Sequence, residues 1–307
     1  MLLPIVHHAA YDAEFPASHR FPMRKFARLM AVLREDGIAR ADNIFAPEPA
    51  PFEWLALAHD PAYVEQVLTG RVARQIEKDI GFAMSQPVLT RARCATGGSV
   101  LTARLALAHG LAANTAGGSH HARREQGAGF CVFNDVAVAI RVLQKEGLIR
   151  RALIVDLDVH QGDGTAAIFE NDPSVFTLSV HAENNYPDQK RRSSRDIGLP
   201  DATKDDAYLS IIRQVLPLAI EQAAADIVFY NAGVDPHAED RLGRLSLSDD
   251  GLIARDGFVI DAIRSRGLPL ACVIGGGYMR DIDRLARRHS LIHRTASDYL
   301  SRPCRKP

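Results

Sequence analysis

Short apolar runs rich in β-branched residues alternate along this chain with longer stretches of helical period. The runs at 152–158, 175–180, 226–231 and 270–274 show little polar alternation, the pattern of strands buried on both faces. Among them, 134–145, 205 to about 224 and 249–265 read as helices, the last with Ser248 placed to cap its first turn. Upstream, 24–34 and 90–108 have helical spacing, and 111–118 reads as a strand running into a glycine turn. Strands and helices taken by turns predict an α/β fold, a doubly wound parallel sheet with right-handed crossovers. The sequence has no internal repeat and no Ser/Gly linker, so residues 1–307 are expected to form a single domain. Two polar stretches, 46–51 and 181–196, read as loops. The second follows a strand, and strand-end loops are where α/β proteins keep their chemistry.

Of the 307 residues, 47% are hydrophobic and 24% charged, enough apolar material for a sizeable core. Lys plus Arg (37) balances Asp plus Glu (37), so neither a strongly basic nucleic-acid binder nor an acidic tail protein is expected. Cys94, Cys131, Cys272 and Cys304 form no CxxC pair, which argues against a disulfide framework or a thiolate zinc finger and fits a reducing cytoplasm. The N-terminal apolar run lacks a basic flank and is broken by Pro4, His7 and His8, which makes a poor secretion signal. No stretch reaches the roughly 18 uncharged apolar residues of a membrane helix. A soluble cytoplasmic protein without membrane or direct nucleic-acid partners is the expectation.

The segment DLDVHQGDG sets Asp156, Asp158 and His160 in alternation at the end of an apolar strand, on one face of the sheet edge. Burying two carboxylates there unpaired is costly. A divalent cation offsets that cost, and carboxylate oxygen with imidazole nitrogen suits Zn²⁺, or Fe²⁺ or Mn²⁺ in competition. Hydrogen bonds from loop amides are the plainer alternative. A second acidic strand end, YNAGVDPHAED, places Asp235 just beyond the sheet, although Asp before Pro is ordinarily a turn former. If the two ends converge, Asp158, His160 and Asp235 make a three-ligand site with an open position for water. In GGSHHARREQGAGFC, adjacent His120 and His121 can put two imidazoles beside one cavity, and Asp156 and Asp163 are carboxylates able to fix their tautomers. The plainer alternative is a pair of surface-loop histidines, like His7 and His8. Finally, VIGGGYMRD ends a strand in Gly275, Gly276 and Gly277, which let backbone approach a ligand closely, and Tyr278 then offers a phenol at the same edge. A turn followed by a packed tyrosine fits the same residues. Together the segments supply a Lewis-acid site, a base pair and an oxyanion donor, the equipment of metal-assisted amide hydrolysis.

In order and approximate spacing, GGSHHA, GAGFCVFND, DLDVHQGDGT, TLSVH, NAGVD and IGGGY resemble the zinc-dependent histone deacetylase superfamily. YPDQKRRS and NAGVDPHAEDRLGRLSLS, with PIVHHAAYDAEF and HRFPMRKF near the N-terminus, resemble its class IV branch and bacterial relatives. The resemblance implies the arginase/deacetylase-like α/β fold and removal of acyl groups from lysine in proteins or peptides. It implies Asp158, His160 and Asp235 as ligands of Zn²⁺, with Fe²⁺ as the alternative ion. His121 would be general base and then general acid, oriented by Asp163. His120 would be its electrostatic partner, supported by Asp156, and Tyr278 would stabilise the oxyanion. By the same resemblance Phe130 and Tyr186 wall an acyl-lysine tunnel, the Gly129 carbonyl serves the amide N–H, and Gly276 and Gly277 border the substrate. A structural monovalent cation such as K⁺ is implied beside Asp156, Asp158, His160, Ser179 and Val180.

The chain departs from class I enzymes in carrying the basic ENNYPDQKRRSSR where they have a Phe- and Gly-rich tunnel loop, which leaves acetyl and longer fatty acyl groups both open. Lys190, Arg191, Arg192 and Arg195 read either as a lure for an acidic partner or as a solvated loop. Competing readings are a two-Mn²⁺ arginase-type enzyme, a deacetylase of small amines such as acetylpolyamines, and a non-catalytic acyl-lysine-binding module. The first lacks carboxylates to bridge a second metal, and the last leaves an intact catalytic set without a purpose.

Overall fold

In the computed structural model, which describes residues 1–16 and 18–301, eight strands form one wholly parallel sheet. The strands are β1 (Ile5–Val6), β2 (Ile44–Phe45), β3 (Leu111–Asn114), β4 (Ala152–Asp156), β5 (Val175–Ala182), β6 (Arg195–Leu199), β7 (Ile227–Asn231) and β8 (Leu270–Val273), in the order β2-β1-β3-β8-β7-β4-β5-β6. Around them lie α1 (Lys25–Glu35), α2 (Phe52–Leu55), α3 (Pro61–Leu68), α4 (Arg74–Ile80), α5 (Gln86–His109), α6 (Asp135–Lys145), α7 (Asp163–Phe169), α8 (Asp205–Ala223), α9 (Asp249–Arg264) and α10 (Ile282–Ser301). From β4 the chain moves on to β5 on one side, and from β7 it moves to β8 on the other. The gap between β4 and β7 is therefore a switch point, where ligands gather at the carboxyl ends of strands in such sheets.

The α/β expectation holds. Strands β3, β4, β7 and β8 are buried along their whole length, as their unbroken apolar runs require. The caps behave as the sequence suggests: Asn134 accepts from the Ala137 amide at 3.0 Å to open α6, and Ser248 accepts from Gly251 at 3.0 Å to open α9.

Several boundaries move. Strand β4 stops at Asp156 rather than 158 because the chain beyond it turns into the site, whereas β3 ends at Asn114 and runs into a turn at Gly117 and Gly118 as expected. Helix α5 runs from Gln86 to His109 rather than 90–108, started by Pro87 in its first turn and ended by Gly110 at φ +86°. The stretch 181–196 is not all loop. His181 and Ala182 extend β5, and Arg195 and Asp196 begin β6, an exposed edge strand whose polar pattern hides it. The two-residue strands β1 and β2 are too short to make an apolar run, and α10 lies outside the expected helices altogether. Cys94, Cys131 and Cys272 are free and buried, and Cys304 lies outside the described residues. Among the described residues no helix is long and apolar enough to cross a membrane.

Candidate active site

After β3 the chain passes through Gly117 and Gly118, at φ +87° and +85°, a left-handed turn that glycine takes at no steric cost. Asp135, in the first turn of α6, holds this turn by accepting from the amides of Ser119 (2.7 Å) and Gly118 (3.2 Å). The turn delivers His120 and His121, both buried, to the carboxyl edge of the sheet. His120 Nδ1 lies 2.7 Å from Asp156 Oδ2 and His121 Nδ1 lies 2.7 Å from Asp163 Oδ1, leaving the two Nε2 atoms facing each other at 3.1 Å. Each imidazole is thus fixed by a carboxylate through its far nitrogen. The carboxylates are held in turn: Asn231 Nδ2 donates to Asp156 at 3.0 Å, and Arg123 donates to Asp163 at 2.7 and 3.1 Å.

The two rings shift in opposite directions. Burial alone would lower both, but at His120 the carboxylates of Asp156 and Asp158 outweigh it and push the ring up to about 9. At His121 burial, reinforced by the charge on His120, wins over Asp163 and brings the ring down to about 4. The carboxylates thus favour the charged form of His120, and burial with that charge favours the neutral form of His121.

Just past β4 and β7, Asp158, His160 and Asp235 bring one ligand atom each within 4.8 Å of one another, all buried. His160 Nδ1 is 3.0 Å from Asp158 Oδ1 and 3.1 Å from Asp235 Oδ2. The remaining carboxylate oxygens accept backbone amides, Gly276 to Asp158 at 2.7 Å and Val159 to Asp235 at 2.9 Å. Burial, and next the charge of Asp158, push the Asp235 carboxyl up to about 7. Two carboxylates forced together in low dielectric with a single imidazole are a donor set that a divalent cation satisfies. A Cβ on Gly276 would stand 2.1 Å from Asp235 Oδ2 and 2.7 Å from Asp158 Oδ2, so only glycine leaves this cradle clear.

Beyond β8, Gly275 at φ +57° turns the chain so that the Tyr278 ring comes 6.0 Å from His160. Burial, then the charges of Asp158 and Asp235, hold the Tyr278 hydroxyl well above its ordinary value, so it keeps its proton. Phe130 lies 5.7 Å from Tyr278 and stacks on Phe82 at 6.3 Å, while Tyr186 packs edge-on to His121 at 4.8 Å. Gly129, at φ +53°, runs against His121, where a Cβ would come within 2.5 Å of the ring. Gly129, Phe130, Tyr186 and Gly276 thus stand against His121, Tyr278 or the carboxylates of the cluster, whereas a Cβ on Gly277 would meet His289, Val234 and Leu285 instead. Ser179 sits beside Asp156 across the β4–β5 ladder with Val180 next to it, and its hydroxyl pairs with His181 at 2.9 Å.

A profile of the histone deacetylase domain matches residues 19–292. This chain belongs to the histone deacetylase family. The deacetylase is 49% identical over 97% of its length to an uncharacterized protein of Picosynechococcus sp., covering 99% of it. It is 31% identical to histone deacetylase 2 of Arabidopsis thaliana, over 92% of this chain and 76% of that one. In structure it matches an HDAC homolog from Aquifex aeolicus with a TM-score of 0.82 at 24% identity, over 97% of this chain and 84% of that chain. The fold is that of the deacetylases, and the protein is a hydrolase acting on amides.

The deacetylase also uses residues that sequence reasoning did not single out. Lys25 is fully buried on α1, and its Nζ donates to the carbonyls of Gly275 and Gly277 at 3.3 Å each, tying down the loop that carries Tyr278. Its position on the apolar stripe with Phe26, Leu29 and Leu33 was the available signal. Asp240 accepts from the Tyr278 amide at 2.7 Å, and Asn231 and Arg123 act as above. Lys190 is not a free surface cation: its Nζ donates to the carbonyls of Asn185 (2.6 Å) and Pro187 (2.7 Å), whereas Arg191, Arg192 and Arg195 are exposed.

Proposed function

We propose that this deacetylase hydrolyses the amide between an acyl group and the Nε of lysine in a protein or peptide, with Zn²⁺, or Fe²⁺ in its place, held by Asp158, His160 and Asp235. The observation that carries the reading is the convergence of the imidazole pair, the three-ligand cluster and Tyr278 in one cleft bordered by Phe130 and Tyr186. A divalent ion in the cluster supplies Lewis acidity to the acyl carbonyl and makes water more acidic. His121, oriented by Asp163, takes a proton at Nε2 and returns it to the departing amine. His120, kept charged beside Asp156, stabilises the negative charge that builds up. The Tyr278 hydroxyl donates to the oxygen on which that charge develops. Phe130 and Tyr186 flank the lysine methylenes, the Gly129 carbonyl accepts the substrate amide N–H, and Gly276 leaves room for its approach.

The rest of the reading is a single catalytic domain of the class IV branch, working in the cytoplasm, with a structural K⁺ beside Asp156, Asp158, His160, Ser179 and Val180. The test is kcat/KM of the zinc-loaded protein on one lysine peptide carrying either acetyl or a long fatty acyl group, with Tyr278→Phe as the blank. Activity on either, lost in the variant, is expected and sets the acyl class. Activity on neither, with metal bound, overturns the lysine reading in favour of small acetylated amines or a non-catalytic role.

A further inference from the structure

One buried side chain joins the two loops that carry the three-ligand cluster. Arg255, on α9, is fully buried and the bulkiest such side chain among the described residues. Its Nη1 donates to the Gly233 carbonyl at 2.7 Å and to the Leu157 carbonyl at 3.3 Å. Leu157 precedes Asp158, and Gly233 stands two residues before Asp235. Its Nε donates to Asp256 Oδ1 at 2.9 Å, and the same oxygen accepts from the Tyr230 hydroxyl, on β7, at 2.6 Å. The pair thus holds β7, the loop after β7 and the loop after β4 at once.

These two loops run close together. The Leu157 amide donates to the Asn231 carbonyl at 3.2 Å, and a Cβ on Gly233 would fall 2.6 Å from Asp158 Oδ2. A shift of either loop by a few tenths of an ångström therefore changes the spacing of the carboxylates. Stability alone does not call for such a pair, since buried ion pairs are often matched or bettered by apolar residues of similar volume. A planar guanidinium, however, offers several donors in fixed directions, which suits holding two carbonyls and a carboxylate in one arrangement.

We infer that Arg255 and Asp256 form a positioning clamp that sets the separation of Asp158 and Asp235 for a divalent cation; this rests on reading the cluster as a metal site. Neither residue touches substrate or ligand atoms, and both act through the loop carbonyls and β7.

Two variants test the clamp. Arg255→Lys keeps a buried cation, but its single nitrogen cannot meet the two carbonyls and Asp256 together as Nη1 and Nε do. Arg255→Met/Asp256→Leu removes both charges and leaves no buried ion unpaired. Each is to be purified metal-free, checked by thermal unfolding, titrated with Zn²⁺ against a chromogenic chelator, and assayed on the acyl-lysine peptide. The expected result is folded protein whose Zn²⁺ Kd rises about ten- to hundredfold, with kcat falling and KM little changed, the scale seen when groups behind metal ligands are lost. Arg255→Lys should recover part of the affinity lost in the double variant. Folded variants that bind Zn²⁺ like the wild type overturn the clamp. Wild-type protein that binds no divalent ion overturns the metal reading, and the clamp with it, whereas metal binding without peptide hydrolysis overturns the substrate reading alone.

Discussion

Fully buried imidazoles stand in two regions of this molecule, and carboxylates raise some of them in only one. At the strand ends, His120 and His160 lose by burial but gain more from the carboxylates beside them, and are pushed up to about 9 and about 10. In the surrounding frame His59 and His293 are just as buried, and desolvation wins there because their partners are backbone carbonyls, bringing both down to about 4. The same side chain under the same burial is raised at His120 and His160 and lowered in the frame, and His121, between Asp163 and the charge of His120, follows burial downward, so the balance of neighbouring charges sets the direction. Where carboxylates gather the imidazoles serve chemistry. Where carbonyls gather they serve the fold, and substitutions in the two regions should be read out by different measurements.

The largest expected effect lies in the first region. Tyr278→Phe removes one oxyanion donor and leaves the ring packing against Phe130, so kcat should fall about a hundredfold or more while unfolding temperature and bound metal stay unchanged. Wild-type turnover in this variant would remove Tyr278 from the mechanism and blur the division between the regions.

In the frame the effect is on stability. His59 Nε2 accepts from the Asn134 amide at 2.9 Å, so its proton sits on Nδ1 and is donated to the Arg123 carbonyl at 2.9 Å. Protonation would break the first of these bonds. Because the folded value, about 4, lies below the ordinary 6.5, the unfolded chain binds more protons between them. Stability from this group is fully present above pH 6.5 and is lost as pH falls toward 4, at up to about 1.4 kcal/mol per pH unit. Urea unfolding at a series of pH values checks this: His59→Gln should show a shallower slope over that window and unchanged kcat. An unchanged slope would mean that His59 is not held neutral.

The strand ends were legible in the sequence because chemistry there is written into local patterns. Asp156, Asp158 and His160 stand within five residues, and the glycines that free the backbone stand next to the residues they serve. The frame was not legible, because its signals are single residues made meaningful by distant partners. Lys25 reaches Gly275 and Gly277, some 250 positions away, and Arg255 reaches Leu157, 98 away, and neither has a local motif. Strand β6 was hidden for a related reason: an edge strand with one neighbour shows a mixed exposed pattern rather than an apolar run.

The smallest effect falls at the rim, where Tyr186, 41% exposed, closes one side of His121. Removing that ring does two things. It takes away an aromatic contact worth about 0.5–1.5 kcal/mol, so KM for an acyl-lysine peptide should rise about two- to tenfold with kcat nearly unchanged. It also lets water reach His121, whose depressed value comes first from burial. Less burial raises the value from about 4 toward 6.5, so the acid limb of kcat/KM, where His121 must be neutral, should move to higher pH in Tyr186→Ala. Tyr186→Phe keeps the ring and should leave the limb in place. A limb that stays put in Tyr186→Ala while KM rises would show that the charge on His120, rather than burial, holds His121 neutral. The contrast between the two regions would then rest on neighbouring charges alone.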